Sequence, residues 1–164
     1  MSSEKQVIPI IQSPPEKRRK ERVAAYCRVS TQAEEQIHSL AAQREFYEKS
    51  LSGNSEVEFV GIYADEGISG TRTRNRTQFL ALIQDCRDGK VDRILTKSVS
   101  RFGRNTVDTL IFTRELRSLG VDVYFEKENL HSISPEGELL LTLMAALAES
   151  ESVSMSDNIK WGKR

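Results

Sequence analysis

Four short runs of β-type residues punctuate the chain: residues 22–27 (RVAAYC), 57–63 (VEFVGIY), 93–96 (RILT) and 121–125 (VDVYF). Between them the apolar period lengthens to that of a helix. One helical pattern covers 34–51, with Ile37, Leu40, Ala41 and Arg44 at helical spacing. A second covers 76–89 and closes on Gly89, and a third covers 106–120 and closes on Gly120. A glycine just past the last periodic residue is a helix stop signal, because it accepts the left-handed backbone there. Strand and helix alternating at these intervals predict parallel βαβ units with right-handed crossovers. The last element, 134–162, differs. Ser134 is placed as an N-cap, Pro135 as the first helical residue, and acids fill the first turn. From Leu139 to Ala148 it is apolar almost all round, so it needs cover on every side. One side can pack on the sheet. The other is met either inside the same domain or by a second copy of the chain.

Length narrows this to one domain with appendages: 164 residues at 38% hydrophobic content build one core. The expected division is a disordered basic arm at 1–21, a core domain at 22–133 and a long helix at 134–164. The arm holds Pro9, Pro14, Pro15 and the run EKRRKER, and lacks the apolar run of a secretory signal. No stretch is apolar enough to span a membrane. Cys27 and Cys86 form no metal-spaced pair and read as free thiols of a reducing cytoplasm.

Net charge is zero, but the charges are not evenly spread. Residues 71–104 hold nine cations (Arg72, Arg74, Arg76, Arg87, Lys90, Arg93, Lys97, Arg101 and Arg104) against Asp85, Asp88 and Asp92. The stretch 136–157 holds five acids and no base. A local excess of cations suits a polyanion partner; the plain alternative is a solvated face with ion pairs.

In an open parallel sheet, sites form beyond the carboxyl ends of the strands. Arg28, Val29 and Ser30 follow the first strand. Asp65, Gly67, Ser69 and Gly70 follow the second, and Lys97, Ser100, Arg101 and Arg104 follow the third. The fold thus gathers a hydroxyl, several guanidiniums and a carboxylate at one edge. Guanidiniums around a hydroxyl suit phosphoryl transfer: they fork onto phosphate oxygens and ease an alkoxide by their field, with no histidine required. Arg101 and Arg104, three apart, can face one side. The glycine between them permits a turn or a close approach to a ligand. Each residue has a plainer alternative. Ser30 can be an N-cap, Cys27 a small core residue, Asp65 a turn former, Gln43, His38 and His131 solvated surface, and Arg72, Arg74 and Arg76 a flexible basic loop. There is no phosphate-binding loop signature, no nucleophile elbow and no carboxylate pair with a nearby histidine that would suggest a metal nuclease.

Five motifs in order, YCRVST, SLAAQ, YADEGISGT, SVSRFGRNT and SPEGELLLTLMAALAE, resemble the catalytic domain of the serine site-specific recombinases, the resolvase/invertase family. Their spacing is more similar to the large recombinases of phages and transposons than to the small resolvases. The resemblance covers 22 to about 162 and implies an α/β fold: a three-layer domain, a mostly parallel sheet of four or five strands, and a long C-terminal dimerisation helix. It places Ser30 as the nucleophile that forms a 5′-phosphoserine bond with cleaved DNA. Arg28, Arg101 and Arg104 take the place of the arginines on the scissile phosphate, Gln43 and Asp65 that of supporting site residues. Ser69 and Arg76 match a neighbouring DNA-contacting loop, with Ser100, Arg72 and Arg74 beside them. It further implies DNA as partner, a dimer that becomes a tetramer in the synaptic complex, no metal, no nucleotide cofactor, no membrane and no small-molecule substrate. Two positions depart from the pattern. Ser100 stands where small resolvases have aspartate, and Ser152 follows Glu151 where the family usually has arginine. No DNA-binding domain pattern follows the long helix, so the alternative is a silent fragment that dimerises with a full-length recombinase and modulates it.

Overall fold

The computed structural model describes residues 18–29, 33–66 and 76–161. The elements run β1 (Glu21–Val29), α1 (Ala33–Ser52), β2 (Val57–Glu66), α2 (Thr77–Arg87), β3 (Arg93–Thr96), α3 (Val99–Phe102), α4 (Thr106–Ser118), β4 (Asp122–Phe125), β5 (Leu130–His131) and α5 (Pro135–Trp161). The sheet order is β2-β1-β3-β4-β5. The first four strands are parallel, and β5 pairs antiparallel to β4.

Alternation along β1 divides its side chains between two cores. Ala24 and Tyr26 join Phe79, Leu82, Ile83, Ile94 and Phe125 under α2 and α4. Ala25 and Cys27 join Tyr47, with Leu40 and Leu95 packed against them, under α1. Helices therefore cover both faces, in the expected three layers. α2 commits Phe79, Leu82, Ile83 and Cys86 to the core at helical spacing. In α1 the inward face is Leu40, Gln43 and Tyr47, whereas Ala41 and Arg44 are exposed. Leu40 faces inward as predicted and Tyr47, one heptad beyond it, extends that face; the side chain of Ile37 lies outside the described residues.

The stop signals behave as read. Gly89 and Gly120 take φ of 70° and 75° after α2 and α4. Ser134 accepts the Gly137 backbone N–H through Oγ at 3.1 Å and so caps α5. Three features escaped the sequence reading: α3, β5, and the extension of β2 to Glu66. Short elements carry too few residues to show a period. β2 also bulges, with Val23 facing Phe59 and Ala24 facing Gly61, and Gly61 takes φ 151° there.

α5 packs on α4 and buries Leu141 and Met144. Leu139, Leu143 and Leu147 stay exposed on its other side. Among the described residues no helix is long and apolar enough to cross a membrane. Both cysteines are free and buried.

Candidate active site

Strand order locates the site before any side chain does. The chain leaves β1 toward β2 on one side and later returns past β1 to β3 on the other. The crevice between the carboxyl ends of β1 and β3 is the switch point where open α/β sheets bind ligands. A cleft of about 670 Å³ opens there, lined by Arg28, Gln43, Phe46, Lys97 and Arg101 among others. Arg101, on the one-turn helix α3, donates from Nη1 to the carbonyl of Arg28 at 3.2 Å. That bond joins the ends of two strands from residues 73 apart in sequence. Ser30, immediately after β1, lies outside the described residues, as do Ser69, Arg72 and Arg74.

Gln43 borders the cleft. Its Oε1 accepts from the Cys27 thiol at 2.7 Å, and its Nε2 donates to Ser39 Oγ at 2.9 Å. Burial, then the nearby Glu126 charge, pushes the Cys27 thiol up to about 11, against the opposing pull of Lys97. Cys27 thus stays a neutral thiol at neutral pH and is no rival nucleophile. Glu126 accepts from Tyr47 Oη at 2.9 Å; burial, then this carboxylate, raises the phenol's pKa well above its ordinary value.

Asp65 and Arg76 turn away from solvent. Asp65 pairs with Arg28 in the β1–β2 register, yet its carboxylate accepts the backbone N–H groups of Gln78 and Phe79 at 3.0 and 2.9 Å. Those are the second and third residues of α2, whose own N-cap position, Arg76, supplies no side-chain cap. Asp65 is therefore a remote cap, and its charge complements the helix dipole. Tyr26 Oη donates to the same carboxylate at 3.2 Å. The guanidinium carbon of Arg76 lies over Phe79, 3.6 Å from the ring centroid. It donates to Tyr26 Oη through Nε and Nη2, to the Phe102 carbonyl, and to Asp108 Oδ2 at 3.1 Å. Its side chain is 11% exposed. Burial raises the Tyr26 phenol to about 12 despite the charge of Arg76.

Arg104 sits between α3 and α4, and its backbone N–H donates to Asp108 Oδ2 at 3.1 Å. Gly103, before it, is buried: a Cβ there would come within 2.7 Å of the Thr109 backbone nitrogen. The close approach that glycine permits is thus to α4. Ser100 Oγ is 3.0 Å from Ser98 Oγ.

The cation-rich segment divides in two. Arg87 pairs with Glu115, Lys90 with Asp85, Arg93 with Glu21, and Arg76 with Asp108. The solvated, ion-paired alternative holds for the first three; Arg76 is ion-paired but drawn inside. Lys97 and Arg101 instead line the cleft with Arg28. Sequence reasoning left Tyr26, Asp108, Phe46 and Glu126 without roles. The one available signal for Tyr26 was its place three residues from the end of β1. His131 is half-exposed, and its Nδ1 is 2.5 Å from Asp122 at the amino end of β4, the opposite edge from the cleft.

Comparison with known proteins agrees with this architecture. A resolvase family site-specific recombinase from Streptococcus pneumoniae superposes with a TM-score of 0.69 at 30% identity, covering 87% of this chain and 95% of that one. The N-terminal catalytic domain of TP901-1 integrase gives 0.61 at 26% identity, covering 80% and 97%. A relative from Bacillus subtilis (strain 168) is 28% identical over 144 residues; the match spans 86% of this chain and 27% of the relative's length. The family profile "Resolvase, N terminal domain" matches residues 23–164. With that match and the shared sheet architecture, the chain belongs to the resolvase family and carries its N-terminal domain.

Proposed function

We propose that this chain is the catalytic domain of a serine site-specific recombinase, which cleaves and rejoins DNA phosphodiesters through a 5′-phosphoserine bond at Ser30. The observation that carries the reading is the meeting of Arg28 and Arg101 at the switch point, joined by the 3.2 Å hydrogen bond, two residues before Ser30 in the chain. In the cleavage step the Ser30 oxygen attacks phosphorus and forms a P–O bond. The bond to the 3′ oxygen breaks, that oxygen takes a proton, and the serine proton passes to solvent. Arg28, Arg101 and Arg104 hold the non-bridging oxygens, whose charge grows in the transition state. Their field also favours the serine alkoxide, so a histidine base is not required. Asp65 and Arg76 act behind this set: they fix α2 and the end of α3 through Tyr26, Phe79 and the Phe102 carbonyl. Religation is the same displacement in reverse, driven by the 3′ hydroxyl.

The partner is DNA, and the working unit is a dimer that pairs into a synaptic tetramer. The exposed leucines of α5 support a second copy on that face. Insertion, excision or inversion of a mobile element is the process this chemistry serves.

The test fuses the domain to a foreign sequence-specific DNA-binding domain and supplies a supercoiled plasmid with two matching sites. After a denaturing quench in chelator, wild type is expected to carry protein on the 5′ ends, and Ser30→Ala none. A folded, DNA-bound fusion without adduct would overturn the recombinase reading.

A further inference from the structure

One wall of the cleft is neither cationic nor used by the reaction above. Phe46, on α1, is 61% exposed at its rim. Its ring is held edge-on against Tyr47, with centroids 5.5 Å apart, and Tyr47 is itself buried and tied to Glu126. An exposed aromatic ring fixed by a buried neighbour offers a ready-made stacking face. Lys97 also lines the cleft; its backbone carbonyl accepts from the Lys127 N–H at 2.9 Å, while its ammonium makes no hydrogen bond or ion pair with another described residue. Among the described residues Glu126 is the only carboxylate lining the cleft, and Tyr47 already occupies one of its oxygens. Among the described residues the lining therefore holds three cations, Arg28, Lys97 and Arg101, against one engaged acid. Its volume, about 670 Å³, falls in the range of small-ligand sites.

We infer that this cleft is a nucleotide subsite: Lys97 contacts a backbone phosphate beside the one held by Arg28 and Arg101, and Phe46 stacks on the base of that nucleotide. The inference rests on the recombinase reading and adds to it a contact with an unstacked base. Charge complementarity selects a polyanion, and an exposed ring in a cationic cleft is an arrangement by which proteins grip single-stranded nucleic acid. A base inside an intact duplex cannot offer its face to Phe46. The occupant is thus a nucleotide that leaves the stack at the break.

The two contacts leave different signatures. Binding of a short single-stranded oligothymidylate, and of an abasic strand of equal length, is followed by fluorescence anisotropy across a salt series. The proteins compared are the whole chain and its Lys97→Gln, Phe46→Leu and Phe46→Trp variants. Lys97→Gln is expected to reduce the slope of log affinity against log salt by about 0.7 on both strands, the share of one phosphate contact. Phe46→Leu is expected to leave the slope alone and weaken the oligothymidylate roughly 5- to 150-fold, with no effect on the abasic strand, and Phe46→Trp to restore binding. Because Phe46 is exposed, its replacements leave the core intact, and near-ultraviolet circular dichroism verifies this. An unchanged slope in Lys97→Gln, or equal effects of Phe46→Leu on both strands, overturns the subsite. The Ser30 adduct assay separates the two readings: failure of the subsite leaves the wild-type adduct in place, whereas failure of the recombinase reading abolishes it.

Discussion

Asp108 is a testable hinge of this architecture, and Asp108→Ala isolates it. Its carboxylate accepts from the Arg76 guanidinium and from the Arg104 backbone N–H, each at 3.1 Å. Alanine leaves Arg76 stacked on Phe79 with two neutral acceptors, Tyr26 Oη and the Phe102 carbonyl, and no direct counter-charge, Asp65 being reached only through Tyr26 Oη. A fully buried charge stranded in this way costs about 3–5 kcal/mol. An exposed pair is worth roughly 0.2–1 kcal/mol. Arg76 is 11% exposed and Asp108 28%, so solvent reaches one partner only in part. The expected loss lies between these limits, at about 2–3 kcal/mol. At roughly 2–4 °C per kcal/mol for a domain of this size, the melting temperature falls by about 4–12 °C. Urea denaturation of wild type, Asp108→Ala, Arg76→Met and the double variant closes a thermodynamic cycle. The coupling is expected to exceed ~1.5 kcal/mol, above the value of an exposed pair. An Asp108→Ala loss under ~0.5 kcal/mol, or simple additivity with Arg76→Met, would show the pair to be ordinary surface electrostatics and refute the argument.

Gly103→Ala drives a methyl group onto the Thr109 backbone, 2.7 Å from its nitrogen and 2.8 Å from its Cα, so a loss of about 3 kcal/mol or more is expected in urea titrations; a loss below ~1 kcal/mol would contradict the close approach. For Asp92, burial pushes the carboxyl up, but hydrogen bonds and charge from Arg22, with Arg19, outweigh it and hold the pKa below the usual value. A lowered folded pKa means stability that is present above the unfolded value, near 3.9, and lost as pH falls through the folded one. The stability gap between wild type and Asp92→Asn should therefore narrow from pH 7 to pH 2, and a gap independent of pH would dismiss the linkage. Leu143→Lys alters an exposed residue, so monomer stability should shift by no more than about 0.5 kcal/mol, while sedimentation velocity should show loss of the proposed dimer. A dimer that survives the lysine would remove α5 from the interface.

Local rules carried the sequence reading a long way. Short runs of β-type residues identified four of the five strands, and their alternation with helical patterns predicted the parallel sheet. Ser134, Gly89 and Gly120 could be assigned because capping depends on a few consecutive residues and their backbone angles. The residues that follow the first three strands pointed to the carboxyl edge of the sheet, because parallel topology forces strand ends to one edge. β5 and α3 were not legible: with two and four residues, they owe their existence to neighbours, not to their own pattern.

The chain's own order of residues thus determined the layers, the edge where chemistry gathers, and the cations available there. Only the tertiary structure decided what each charge does. Arg76 and Arg101 look alike in sequence, yet one is folded onto Phe79 and Asp108 while the other reaches the end of β1. Asp65, which sequence places among site residues, is drawn to the open backbone N–H groups of α2. The physical reason for Arg76 and Asp65 is that a charged side chain going inside takes the partner that best offsets its loss of water. Those partners lie 32 and 13 residues away, and the exposed Arg101 meets Arg28 from 73 residues away, brought near only when the sheet closes.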